Sequence, residues 1–137
     1  MPASPMQTVA LPFISNYATV APEVHFVAPR LCYVEAMEFV SATGLASHAS
    51  NIWQVQVTNI GIAGAGTATC AWMSTDSDLD TGATVTANVP LGMELGVSGA
   101  RHIASGALLQ GKLSEGGTPS TDPWQAALIL HYRTGQA

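Results

Sequence analysis

From Leu31 onward, apolar and polar residues alternate in short runs, each closed by Gly, Ser, Asn, Asp or Pro. A period of two predicts β-strands with one buried and one wet face. The clearest case sets Trp53, Val55 and Val57 against Gln54, Gln56 and Thr58. Gly61, Gly64 and Gly66 then end that strand in a turn. Residues 67–73 alternate Thr67, Thr69 and Ala71 with Ala68, Cys70 and Trp72, which makes them the hairpin partner. Further runs fall at 32–40, at 84–95 with an edge or bend at Pro90, and at 103–113. The last strand is predicted over 124–133, with Trp124, Ala126, Leu128, Leu130 and Tyr132 on one face. No long helical period occurs. Six or seven short strands in two sheets, with loop tips at 41–50, 74–84 and 114–123, define an all-β sandwich.

Residues 1–30 read differently. Pro2, Pro5, Pro12, Pro22 and Pro29 punctuate this stretch, and proline cannot donate to a sheet ladder. The chain therefore divides into an extended, Pro-rich N-terminal arm over 1–30 and a β-sandwich domain over 31–137. Leu11, Phe13, Ile14, Tyr17 and Phe26 give the arm an aromatic and aliphatic content foreign to disordered segments. These five are the candidate partner-binding residues. Two placements are open: across the arm's own domain, or onto a neighbouring subunit.

Charge narrows the function classes. Only 9% of the 137 residues are Asp, Glu, Lys or Arg, against about 25% in an ordinary soluble domain. So few charges point to a surface covered by other subunits, or to one built from Ser, Thr, Asn, Gln and Gly. The four basic residues, Arg30, Arg101, Lys112 and Arg133, sit in a chain of net charge −5. They form no patch able to neutralise several phosphates, so nucleic acid is not an expected partner. No apolar run reaches the roughly 20 residues of a membrane helix, and no basic-then-apolar secretory signal opens the chain. A membrane is not an expected partner, and synthesis in a cytoplasm is the expectation. Cys32 and Cys70 lie in apolar runs and read as buried small hydrophobes. A disulfide between them stays open, although a cytoplasmic setting argues against it.

The chemical motifs are weak. Gly61, Gly64 and Gly66 miss the dinucleotide fingerprint, because Thr69 stands at its last glycine and no helix follows. Gly96, Val97, Ser98 and Gly99 lack the spacing of a nucleophile elbow, even with Arg101 and His102 nearby. Asp76, Asp78 and Asp80 alternate as cation ligands do, but Thr81 and Ala87 replace the Gly and Glu that a calcium loop needs. His25, His48, His102 and His131 are scattered, without metal-ligand spacing. No catalytic, metal or cofactor residue is expected. Trp53, Trp72 and Trp124 share parity with Val, Cys or Leu, so all three are expected in the core; outward-facing, they would be platforms for sugars.

The pieces 51–58 (NIWQVQVT), 59–67 (NIGIAGAGT), VPLGMEL, RHIASGALLQGKL and TPSTDPWQAALILHY together resemble the small jelly-roll-like decoration (cement) or head-fibre proteins of tailed bacteriophages. The resemblance runs from about residue 33 to residue 132 and consists of turn glycines and alternation. Ala107, where relatives are expected to carry an acidic residue, departs from it. It implies a jelly-roll-like antiparallel β-sandwich without enzymatic activity. It further implies a homotrimer on the outer capsid surface of the virion that bridges and stabilises major capsid protein subunits. The rival is a carbohydrate-binding β-sandwich module of a phage tail or cell-surface protein, distinguished by outward-facing tryptophans.

Overall fold

The computed structural model describes residues 5–13 and 23–135. Among these residues, ten strands form two antiparallel sheets. In the first, β1 (Gln7–Pro12), β10 (Ala127–Thr134), β3 (Cys32–Val40) and β6 (Leu91–Gly92) lie side by side, and β8 (His102–Ile103) also pairs with β3. The second has the order β2 (Glu23–Val27), β9 (Leu108–Gly116), β4 (Ile52–Gly61), β5 (Ala68–Ser74), β7 (Glu94–Leu95). The stretch from β6 to β7 is in effect one strand crossing between the sheets. Counting it so and setting β8 aside, one sheet holds strands one, eight, three and six of the chain order and the other two, seven, four and five. That order is the jelly roll, two Greek keys wound into a sandwich.

Alternation builds the core. Val34, Met37 and Phe39 of β3 face Trp53, Val55 and Val57 of β4 and Leu109 and Leu113 of β9, with Leu128 and Leu130 of β10 among them; all are buried. Irregularities in the ladders adjust which residues point inward. Ala36 pairs with His131 and Val34 with Tyr132, so Glu35 is an extra residue that lets Val34 and Met37 both enter the core.

The segment expected as an arm supplies one outer strand to each sheet. β1 pairs along its whole length with β10, and β2 with β9. Pro12 closes β1 on a sheet edge, where a missing N–H is tolerated. Of the two placements open to the arm, the described residues take the one on their own domain, and they raise the six or seven expected strands to eight in the jelly-roll count.

The other differences are local. The run expected over 84–95 forms strand only from Leu91, beyond Pro90. The run at 103–113 is divided by a turn at Gly106, whose φ of 82° suits glycine. The final strand starts at Ala127, three residues later than predicted.

Candidate functional site

Three of the five sequence-predicted partner residues are described, and these three turn toward the core. Phe13 is buried and meets Phe39 edge-on, with ring centres 6.5 Å apart. Leu11 packs against the core from β1, and Phe26 lies 5.2 Å from the Tyr132 ring. Ile14 and Tyr17 lie outside the described residues. Leu11, Phe13 and Phe26 thus join the arm to its own sandwich and offer little surface to a partner.

The tryptophans divide. Trp53 is 2% exposed, and its indole Nε1 donates to the Thr121 carbonyl at 2.8 Å. Trp72 and Trp124 depart from the expected core placement. In β5, Ala71 pairs with Val57 and Thr69 with Thr58, leaving Cys70 as an extra residue. Cys70 and Ala71 consequently both enter the core, and Trp72 moves to the outer face opposite Gln56. Trp124 precedes β10, and the positive φ of 47° at Gln125 breaks the alternation there. The residue is 50% exposed, while its backbone is held by Ala42 N–H donating to Trp124 O at 2.8 Å and by Trp124 N–H donating to Ser41 Oγ at 3.3 Å.

Trp72 lies in a groove of about 580 Å³ on the outer face of the second sheet. Across it, register sets Glu23, Lys112, Gln56, Trp72 and Glu94 in one row over five strands. Gln110, Thr58 and Thr69 form the adjacent row, and Gln54 and Ser114 flank the other side. Amides and hydroxyls dominate the lining. Gln56 Nε2 donates to Thr69 Oγ1 at 3.0 Å, and Gln110 Nε2 donates to Glu23 Oε2 at 3.1 Å. Lys112 Nζ stands 3.7 Å from Glu23 Oε1, so its charge is locally matched. The alternation of Gln54 and Gln56 signals the wet face of β4, but the bulge that carries Trp72 onto it has no compositional signature.

Elsewhere the chemical candidates stay apart. Asp76 Oδ1 accepts the Asp78 N–H at 2.9 Å, closing its own loop. His131 lies between Thr8 and Glu38 at 2.9 and 2.8 Å. His48 Nδ1 accepts two backbone N–H groups, from Ser50 and Asn51. His102 contacts the Ser98 carbonyl at 2.8 Å, and its ring lies 4.6 Å from that of Tyr33. The Arg101 guanidinium covers the same tyrosine at 4.9 Å and reaches the Val34 carbonyl at 3.3 Å. Gly61 and Gly64 occupy positive φ in the β4–β5 turn, and Ser98–Arg101 forms a short 3-10 turn. Cys32 and Cys70 are both free thiols in the core. Burial raises each pKa, that of Cys70 to about 12 against the opposing pull of Arg101.

Strand order and surface chemistry together define the class: a jelly-roll sandwich with a polar groove on one sheet. No family model matches the sequence, and no curated protein matches it. Among solved structures, the chain is similar to a CocE/NonD family hydrolase from Staphylococcus aureus, with 9% identity and a TM-score of 0.40, over 98% of this chain and 32% of that one. It is also similar to the structure of infectious bursal disease virus, Gt strain, with 13% identity and a TM-score of 0.41, over 96% of this chain and 32% of that one. The Gx strain gives 13% identity and a TM-score of 0.40, over 98% of this chain and 35% of that one. The chain thus spans about a third of each. The likeness is one of loose outline, and the jelly-roll assignment rests on this chain's own strand order.

Proposed function

We propose that this chain is a non-enzymatic structural protein of a virus particle, a decoration protein that sits on the outer surface of a tailed-phage head. It acts by bridging major capsid protein subunits, as a homotrimer. The observation that carries this reading is a charge-poor surface on which four of the exposed apolar side chains meet at one end of the sandwich. Among the described residues, Val27, Leu31, Ile62 and Val97 are 58, 37, 71 and 78% exposed. Strand register brings all four to the same end of the sandwich. Val27 and Gly61 both pair with Leu108, Leu31 O accepts the Gly135 N–H after β10, and Gly96 N donates to Cys70 O near the start of β5. Arg30, Arg101 and Arg133 are the nearby cations. Apolar groups exposed together on a chain with 9% charged residues suit burial against another protein. A jelly roll supplies a rigid module for that role, and three linked copies would turn weak contacts into lasting attachment through effective concentration.

The test is titration of the purified protein onto undecorated heads, followed by electron microscopy. Discrete density of this size at repeated positions on the outer shell is the expected result. Heads that stay bare at saturating protein would overturn the reading.

A further inference from the structure

We propose that the groove over Trp72 binds an uncharged, hydroxyl-rich ligand of the saccharide class. Trp72 is the stacking platform, and Gln54, Gln56 and Gln110 are the hydrogen-bonding rim. This goes beyond attachment to a particle and does not depend on it.

The first ground is the placement of Trp72. An indole gains most by burial, yet the β5 bulge sends Cys70 and Ala71 inward and puts the large ring on the outer face. There it is half-buried among polar neighbours, and its Nε1 has no hydrogen-bond partner among the described residues. A flat apolar ring with a donor at its edge matches a pyranose, which presents C–H groups on a face and hydroxyls around its rim.

The second ground is the lining. Each glutamine offers both a donor amide and an acceptor carbonyl, and Thr58, Thr69 and Ser114 hydroxyls do either. Such groups suit a ligand whose every hydroxyl donates and accepts. They suit phosphates and carboxylates poorly, since the one cation present, Lys112, already faces Glu23 at 3.7 Å. A peptide strand has no purchase either, because the groove crosses the face of paired strands β9, β4 and β5 rather than following an open edge.

The third ground is rigidity and size. The lining side chains stand on paired strands, which hold a binding constellation more firmly than loops do. The volume of about 580 Å³ falls within the range of about 300 to 1,000 Å³ typical of small-ligand sites. Because the groove opens along the sheet face, a short stretch of a longer glycan fits it better than an enclosed monosaccharide.

The experiment uses the full chain and a panel of neutral hexasaccharides of the cello, malto, manno and galacto series, with binding read by calorimetry and by tryptophan fluorescence. At least one series should bind saturably. Trp72→Ala should raise its Kd by about tenfold or more, Trp72→Phe should recover part of the loss, and Trp124→Ala should bind like the parent. The melting temperature of Trp72→Ala should stay close to that of the parent, separating lost binding from lost fold. Absence of binding by every series up to millimolar concentration would overturn the proposal. So would parent-like binding by Trp72→Ala. Head occupancy by Trp72→Ala should be unchanged, so this proposal and the decoration reading fail separately.

Discussion

Single residues in this fold are tied down by specific partners, and Trp53 is the strongest case. Its indole fills the space between the sheets, its N–H is satisfied by Thr121, and its backbone exchanges hydrogen bonds with Thr75 at 2.9 Å on both sides. Trp53→Ala should cost about 3 to 5 kcal/mol, lowering the melting temperature by on the order of 10 °C. Melting like the parent would place the indole outside the core. Cys70 gives a pH test. Its folded pKa of about 12 lies above the ordinary 9.0. Below about pH 9 the thiol is protonated in both states and adds no pH dependence. Between 9 and 12 the unfolded chain releases the proton while the folded chain keeps it, so stability falls as pH rises through that window. Urea unfolding at pH 8, 9, 10 and 11 should show a steeper decline for the parent than for Cys70→Ala, and parallel curves would contradict it.

At the scale of elements, the strands that follow simple alternation are the ones legible in the sequence. The run expected at 32–40 is β3, and the Trp53, Val55 and Val57 alternation is the inward face of β4. A bulge is a single extra residue in a ladder and leaves no mark on composition. Parity counted through Cys70 therefore assigned Trp72 to the core and concealed the groove. The prolines of 1–30 correctly exclude a central strand, but they permit edges, and β1 and β2 are edges. Their pairing changes what truncation should do. The division into an arm over 1–30 and a sandwich over 31–137 implies that removal of 1–27 leaves a folded sandwich. In the structure it strips one outer strand from each sheet, takes Phe13 and Val24 from the core, and uncovers the edges of β10 and β9. The truncated chain should be poorly soluble and lack a cooperative melt, measured by circular dichroism; a sharp transition near that of the parent would show β1 and β2 to be accessory. Gly111 tests the same contact between sheets more finely. A Cβ there would sit 2.6 Å from Leu128 Cδ1 and 3.0 Å from Val24 Cγ2, so Gly111→Ala should lose about 1 to 3 kcal/mol by overpacking.

On the scale of the whole molecule, the jelly roll separates two surfaces that differ in chemistry. The outer face of the second sheet is polar, whereas the end that carries Val27, Leu31, Ile62 and Val97 exposes apolar side chains. The low charge count was legible in the sequence, but the meeting of exposed apolar residues at one end was not, because these four residues are far apart in the chain and meet only through strand register. Ile62 and Val97 stand on turns and are among the most exposed apolar side chains described, so changing them should spare the core. The double variant Ile62→Asp with Val97→Asp should melt like the parent, since surface substitutions of this kind usually shift stability by about 0.5 kcal/mol or less. It should nevertheless occupy undecorated heads poorly, because two carboxylates would have to be desolvated in the contact. Light scattering of the parent and the variant then assigns the apolar end. A parent trimer that becomes a monomer in the variant places it between sister subunits, and a trimer retained alongside lost occupancy places it against the capsid. A variant that remains trimeric and decorates heads as fully as the parent would mean that neither contact uses this end.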